Sequence, residues 1–235
     1  MSITIHKLPP LLETYFVEEA SSIPTSAWGN ALEGSGFLGP DISHLAGEGI
    51  MAGWALTVAC PGDNNLATYL ALQYMLDIAA TGRWVMVVTG QEGAEPAKSA
   101  LWGYLQSLMG WEVGFVGAVV DGFCRDVDEI RMKMAKEFSI FARSGCPIHP
   151  VQDVHGEIGR PVSINGVTIR TGDLILGDSD GVICVPRDQV EMASTLCRQT
   201  IIDEVNVVQH VREGMGAVDV LGLREMLTGN VDIVE

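Results

Sequence analysis

The distribution of apolar residues divides the chain into three stretches. Residues 1–50 are irregular and rich in proline, with one short helix predicted at about 24–33, where Pro24 suits a first turn. From residue 52, apolar runs typical of buried strands alternate with stretches whose apolar residues recur every three or four positions, as in helices. The predicted strands lie at 52–60, 83–89, 116–122 and 138–143. The predicted helices lie at 63–80, capped by Asp63, then up to residue 109 after a loop at 90–100, and at 125–137.

Short apolar runs separated by turns follow residue 144, at 161–164, 167–170, 173–176 and 181–186. The pair Asn165-Gly166 between the first two runs is a strong signal of a β-hairpin. Residues 188–212 again place apolar side chains every three or four positions and predict a long helix, with a short helix after it. This order predicts an α/β protein with mixed sheets and flanking helices. We expect one domain over 1–235, with 1–50 as its irregular N-terminal part and 188–235 as its C-terminal helices.

Composition narrows the class of protein. Hydrophobic residues make up 47% of the chain and charged residues 19%, which is enough for a sizeable core. The formal net charge of −16 argues against a nucleic-acid backbone or an anionic membrane as the partner. No apolar run reaches the ~18 residues of a membrane span, and the N-terminus does not resemble a secretory signal. The five widely spaced cysteines suit reduced thiols, so we expect a cytoplasmic protein.

Common catalytic motifs do not fit their required contexts. The glycines of 34–39 match GxGxxG but follow a helical stretch and run into Pro40, so we interpret them as a turn. His155 and Glu157 resemble the HxE of zinc deaminases, yet no PCxxC follows. The remaining histidines are scattered and are interpreted as structural or exposed: His6, His44, His149 and His210.

The most informative stretch is 121–126, where an apolar strand is predicted to end and a helix to begin. In open α/β folds ligands collect at the carboxyl ends of strands, and a helix N-terminus attracts anions. Arg125 could bind a carboxylate through its two-pronged guanidinium, and Asp126 could offer an oxygen ligand to Mg²⁺. Spacing alone leaves another interpretation open, in which Asp126 and Glu129 form a capping box and Arg125 is a surface residue.

Five segments taken in order resemble the RraA-like family, and the resemblance covers roughly residues 50–190. The segments are GWALTV (53–58), RWVMVVTG (83–90), ALWGYL (100–105), GAVVDGFCRD (117–126) and VTIRTGDLILGDSDGVICVP (167–186). That family includes metal-dependent 4-hydroxy-4-methyl-2-oxoglutarate/4-carboxy-4-hydroxy-2-oxoadipate aldolases and the regulator of ribonuclease activity A. The resemblance implies a swivelling β/β/α domain that assembles as a homotrimer or homohexamer, with sites between subunits.

The resemblance also implies roles for individual residues. Arg125 would hold the substrate carboxylate, and Asp126 would ligate a divalent metal, Mg²⁺ or Mn²⁺ or another. The stretch of Gly103, Tyr104, Leu105 and Gln106 would bind substrate through backbone N–H groups. These residues make a small 2-oxo acid the expected partner.

One residue departs from the family pattern. The family's aldolases carry Asp or Glu where this chain has Tyr104, and that acid helps to hold a water on the metal. A phenol is a poor base and a poor Mg²⁺ ligand near neutral pH. A replacement carboxylate could come from within the chain or, as Glu204, from a neighbour's C-terminal helix. The candidates within the chain are Asp121, Asp178 and Asp180.

The expected function is a divalent-metal-dependent lyase acting on a pyruvate-derived 2-oxo acid. The metal and Arg125 would stabilise the enolate that forms when the carbon–carbon bond breaks. Aldol cleavage also needs a base for the hydroxyl proton, whereas decarboxylation of oxaloacetate does not, so Tyr104 favours decarboxylation. The alternative is a non-catalytic, RraA-like regulator. Such members lack the acid of the Arg-Asp pair, so Asp126 counts against that alternative and Tyr104 counts for it. A third possibility is an enzyme on this scaffold with a different acid as substrate.

Overall fold

The computed structural model describes residues 2–90, 97–228 and 230–231. The strands are β1 Ile3–Ile5, β2 Ser43–Ala46, β3 Met51–Ala59, β4 Trp84–Thr89, β5 Ala100–Trp102, β6 Phe115–Cys124, β7 Ser139–Gly145, β8 Gly156–Ile158, β9 Val162–Ile164, β10 Val167–Ile169, β11 Leu174–Asp178 and β12 Gly181–Val185. The helices are α1 Thr14–Ala20, α2 Thr25–Ala31, α3 Leu66–Asp77, α4 Tyr104–Glu112, α5 Val127–Met134, α6 Val190–Arg212, α7 Ala217–Val220 and α8 Arg224–Leu227. The predicted α/β class, with a mixed sheet and flanking helices, is confirmed.

Within the described residues, one mixed sheet holds ten of these strands. Its main path runs β1-β8-β3-β4-β6-β7-β2, while β11 and β12 extend from β3, and β5 lies against β6. The strands β3, β4, β6 and β7 run parallel, and β5 is parallel to β6. Because parallel strands end at one edge of a sheet, the loops that follow β3, β5 and β6 meet at the same edge.

The predicted hairpin is confirmed as the separate pair β9–β10. Asn165 and Gly166 join the two strands with φ angles of 48° and 86°, as a two-residue type I′ turn requires. The hairpin covers one face of the sheet, where Val162 and Ile164 pack with Ala55 of β3. Helices cover the other face, where Trp54 of β3 joins the larger core cluster. Burial on both faces explains the uninterrupted apolar runs of the central strands.

Several elements differ from the sequence prediction. The short elements β1, β2, β8 and α1 were not predicted. Strand β5 spans the last residue of the predicted loop at 90–100 and the start of the helix predicted after it, and most of that loop falls outside the described residues. The predicted cap at Asp63 is wrong, because α3 begins at Leu66. The Asp63 carboxylate instead accepts hydrogen bonds from the backbone N–H of Lys98 and from Ser99, whose N–H lies at 2.8 Å. Asp63 therefore ties the start of β5 to the loop before α3.

The long helix predicted at 188–212 is confirmed as α6, preceded by a single 3₁₀ turn at Arg187–Gln189. The first half of α6 packs against the larger core cluster, where Val190, Ala193 and Cys197 are buried, whereas its second half exposes apolar side chains. Across the described part of the chain, none of the helices has both the length and the apolar character needed to cross a bilayer.

Candidate active site

The ends of two neighbouring strands bring together the residues singled out in the sequence. Trp102 of β5 lies opposite Cys124 of β6 in the parallel register, and the Arg125 N–H donates to the Trp102 carbonyl at 2.9 Å. The next residue of each segment, Gly103 before α4 and Arg125 before α5, therefore lie side by side. Asp126 follows directly and completes the group.

Position 103 requires glycine because the side chains of Arg125 and Asp126 approach its backbone closely. A Cβ atom at this position would lie 2.7 Å from Arg125 Cγ and 3.1 Å from Asp126 Oδ2. Its φ of −169° is extended backbone that any residue can adopt. The missing side chain is thus what allows the Arg125 and Asp126 side chains to lie against the start of α4.

Asp126 occupies the N-cap position of α5, but its side chain does not cap the helix, so the capping-box interpretation is wrong. Its side chain makes no cap hydrogen bond, and its backbone is left-handed with φ of 56°, a conformation in which Asp is better tolerated than most residues. Its carboxylate instead accepts from Arg125 Nε, at 3.1 Å to Oδ2 and 3.3 Å to Oδ1. The two side chains are 35% and 32% exposed. Within the described residues, the terminal guanidinium nitrogens of Arg125 have no hydrogen-bond partner, so they can bind a ligand.

A cavity of about 140 Å³ opens beside this pair. Its lining comprises Asn65, Tyr69, Gly103, Leu105, Gln106, Arg125, Asp126, His149 and Pro150. The N-terminus of α4 borders it, and the first intrahelical bond there runs from the Ser107 N–H to the Gly103 carbonyl. The three preceding N–H groups belong to the first turn, which has no intrahelical acceptors and carries partial positive charge. The size of the cavity and the partial positive charge of the N-terminus of α4 suit the binding of a small anion.

Helix α3 contributes two residues that the sequence did not single out. Asn65 is 3% exposed, its amide nitrogen lies 3.4 Å from the Leu101 carbonyl, and its Oδ1 has no partner among the described residues. Tyr69 lies one helical turn further on, and burial raises its pKa, with Arg125 opposing and Asp126 adding to that shift. Tyr69 therefore stays a phenol at neutral pH. The signal for both was their position after β3, at the edge where the other site residues lie.

The predicted substrate-binding stretch is only partly at the cavity. Gly103, Leu105 and Gln106 line it, and the buried Gln106 amide donates to Thr68 Oγ1 at 2.6 Å and to the Leu101 carbonyl at 3.0 Å. The first bond connects α4 to α3, and the second connects α4 to β5. That the N–H groups bind substrate stays a prediction.

Tyr104 does not line the cavity in the described structure. The Lys133 ammonium lies 4.9 Å from the centroid of its ring, a cation–π contact that joins α4 to α5. The side chain at the position of the family's acid is thus engaged away from the site.

None of the four proposed replacement carboxylates lines the cavity. Asp121 is 2% exposed and pairs with Arg143 Nε at 2.6 Å, so its charge is already balanced. Asp178 accepts from the Thr25 N–H at 2.8 Å and from its hydroxyl at 2.6 Å, and Asp180 lies in the turn beside it. Expecting these three to replace the acid within one chain is therefore wrong. Glu204 lies exposed on α6, and its role in a neighbouring subunit stays a prediction.

Comparison with known proteins agrees with the resemblance. The RraA-like family model, described as Aldolase/RraA, matches residues 25–184, more than half of the chain. A relative from Halalkalibacterium halodurans, provisionally named 4-hydroxy-4-methyl-2-oxoglutarate aldolase, is 33% identical over 179 residues, which cover 76% of this chain and 80% of that protein. The 4-hydroxy-4-methyl-2-oxoglutarate aldolase of Thermus thermophilus is 27% identical over 142 residues, covering 60% and 79%.

Solved structures share the fold. An uncharacterised protein from Pseudomonas syringae pv. tomato superposes with a TM-score of 0.73 at 21% identity, covering 90% of this chain and 94% of that one. The RNA-processing inhibitor RraA from Thermus thermophilus superposes with a TM-score of 0.57 at 24% identity, covering 69% and 92%. On the match to the family model and the identity to its relatives, the chain belongs to the RraA-like family.

Proposed function

We propose that this protein is a divalent-metal-dependent lyase that breaks a carbon–carbon bond in a pyruvate-derived 2-oxo acid. The observation that carries the proposal is the convergence of Arg125, Asp126 and the N-terminus of α4 on one small cavity. Relatives named 4-hydroxy-4-methyl-2-oxoglutarate aldolase support a reaction of this type. The substrates to test are therefore 4-hydroxy-4-methyl-2-oxoglutarate and oxaloacetate, which both release pyruvate.

The residues at the cavity fit a magnesium or manganese ion. Mg²⁺ is commonly bound by one or two carboxylates, keeps several waters and takes its remaining ligands from the substrate. Asp126 offers an accessible carboxylate, Gly103 leaves space beside its Oδ2, and the buried Asn65 Oδ1 is an oxygen without a partner among the described residues. The described residues contain no group of three or more His, Cys, Asp or Glu that could hold a metal, and Asp126 is the one carboxylate among those that line the cavity.

The chain's own groups account for binding and charge stabilisation. Arg125 would bind the substrate carboxylate with its free guanidinium nitrogens, since a guanidinium matches a carboxylate with two parallel hydrogen bonds. The first-turn N–H groups of α4 would donate to the oxygens on which negative charge develops as the bond at C3 breaks. When bound, the metal would supply Lewis-acid polarisation of the 2-oxo group. Charge would thus be stabilised by groups already fixed in place.

The proposal is tested by assaying both reactions with Mg²⁺, with Mn²⁺ and with excess EDTA. We expect pyruvate formation that EDTA abolishes, and a loss of at least ~100-fold in kcat in Asp126→Asn. Calorimetry should show that this variant no longer binds Mn²⁺. Asp128→Asn is the matched control, because that side chain is 86% exposed and pairs with Arg131. Full activity in excess EDTA would contradict the metal dependence.

Tyr104 favours the alternative of a non-catalytic regulator, because its ring lies against Lys133 and away from the cavity. A protein of that kind would form no pyruvate from either substrate and would bind neither Mn²⁺ nor oxalate, an analogue of the pyruvate enolate. The same measurements therefore separate the two functions.

The proposal includes assembly into a homotrimer or homohexamer. The second half of α6 supports it, because Ile202, Val205 and Val208 are each about half exposed and lie on one helix. Light scattering of the purified chain should give three or six times the mass of 25.2 kDa. A monomer would contradict this part of the proposal.

A further inference from the structure

The rim of the cavity carries a histidine that the proposed function does not use. His149 Nδ1 lies 2.6 Å from the carbonyl oxygen of Pro150, which is buried. A carbonyl oxygen can only accept, so Nδ1 must carry the ring hydrogen. In a neutral imidazole with this tautomer, Nε2 has no hydrogen and offers a lone pair. The backbone contact therefore leaves Nε2 as the ring nitrogen that can take a proton.

The other titratable side chains on the cavity are unsuited to that task. Arg125 is a cation, and the carboxylate of Asp126 is paired with Arg125 and assigned to the metal. Tyr69 is held as a phenol by burial. Tyr104, at the position of the family's acid, does not line the cavity, and its ring lies against Lys133. Among the described residues that line the cavity, His149 is the remaining side chain with a ring nitrogen that can accept a proton.

We propose that His149 is the general base for aldol cleavage in this protein. This inference rests on the proposed lyase function. Nε2 takes the proton of the C4 hydroxyl, the C4–O bond becomes a carbonyl, and the C3–C4 bond breaks. Its electron pair passes to C3 and the 2-oxo group as the enolate of pyruvate. The imidazolium then returns the proton to C3, which gives pyruvate and the second carbonyl product with no change of oxidation state overall.

Decarboxylation of oxaloacetate does not use such a base, since carbon dioxide leaves without the removal of a hydroxyl proton. The two reactions thus share the enolate and differ in the need for His149. Their ratio therefore reports on the base separately from the groups that stabilise the enolate.

The test compares kcat for 4-hydroxy-4-methyl-2-oxoglutarate cleavage and for oxaloacetate decarboxylation at saturating Mg²⁺. In His149→Asn, whose amide keeps a donor but no basic nitrogen, we expect the ratio of cleavage to decarboxylation to fall at least ~100-fold. In His149→Ala, added imidazole should restore part of the cleavage. His155→Asn is the matched control, because His155 is exposed like His149 but does not line the cavity, and its ratio should stay at the wild-type value. Thermal melts establish that each variant is folded.

Three results would overturn the inference. The ratio unchanged in both His149 variants would mean that the base is another group. An equal loss of both reactions, without rescue by imidazole, would make His149 a structural residue. A wild-type protein that decarboxylates oxaloacetate but cleaves no aldol substrate would exclude the base while leaving the decarboxylase. Failure of the proposed function is distinct, because the wild-type protein would then catalyse neither reaction.

Discussion

Replacing Gly103 with alanine tests the geometry of the site with one methyl group. The new Cβ would lie 2.7 Å from Arg125 Cγ, whereas ordinary van der Waals contact begins at 3.4 Å, so Arg125 must move by about 0.7 Å. Asp126 Oδ2, at 3.1 Å, must yield as well. A misplacement of about 1 Å at a reacting centre can cost 100-fold in rate. We therefore expect kcat/KM for oxaloacetate decarboxylation to fall by about 10- to 100-fold, or about 1.4 to 2.7 kcal/mol in activation free energy.

The fold should tolerate this change, because the φ of Gly103 is open to any residue. Gly216→Ala is the matched control, since Gly216 precedes α7 with an ordinary φ of −70° and a Cβ there meets no atom within 4 Å. Both variants lose a glycine next to the first turn of a helix, but only one lies at the site. Steady-state kinetics and Mn²⁺ calorimetry measure the effect, and thermal melts check the fold. If Gly103→Ala matched the control in rate and in Mn²⁺ affinity, Arg125 and Asp126 would not form the site.

Three further predictions concern stability and reactivity. Arg143→Met should lower the free energy of unfolding by about 3 kcal/mol in urea titrations, because it removes the guanidinium whose Nε lies 2.6 Å from the buried carboxylate of Asp121. A loss below about 1 kcal/mol would contradict this. Ellman's reagent at pH 8 should label Cys146 rapidly and the other four thiols only after unfolding, since Cys146 alone of the five is not buried and burial raises the pKa of Cys124 to about 12. Burial opposes the ionisation of Asp63, but hydrogen bonds from Lys98 and Ser99 outweigh burial and lower its pKa. The contribution of Asp63 to stability is therefore present above its ordinary pKa of 3.8 and is lost as the pH falls below that value. Asp63→Asn should flatten the decline of Tm over that pH range, and an unchanged decline would refute the prediction.

The central elements were predictable because local pattern and tertiary environment agree there. Buried β3 and β4 are continuous apolar runs, and α6 repeats its apolar positions at helical spacing. The missed strands are short and depend on distant partners: Ile3 pairs with Gly156, and Ser43 with Ala142. Three residues have too little pattern to identify a strand, and nothing local indicates which part of the chain will supply the partner.

Without the family resemblance, which added the 103–106 stretch, the site was predictable only where residues are adjacent in sequence. Arg125 and Asp126 stand together at the end of a strand, which general rules for α/β folds identify. Asn65 and His149 are 84 positions apart and meet only after the loops following β3 and β7 reach one edge of the sheet. Tyr104 was expected to bind substrate through its backbone N–H, as part of the 103–106 stretch, and the contact that holds its ring comes from Lys133 on α5. Such contacts depend on packing between helices, which spacing along the chain does not specify.

The two halves of the proposed chemistry are built in different ways. The groups that would stabilise an enolate are fixed by backbone geometry: the amides of α4, the absence of a side chain at Gly103 and the left-handed turn at Asp126. The group that would remove the hydroxyl proton is a single side chain on the rim, His149. A change at position 104 or 149 can therefore alter which bond cleavage generates the enolate without disturbing the sheet edge that supports it. Because decarboxylation uses only the first half, it should survive such changes better than aldol cleavage.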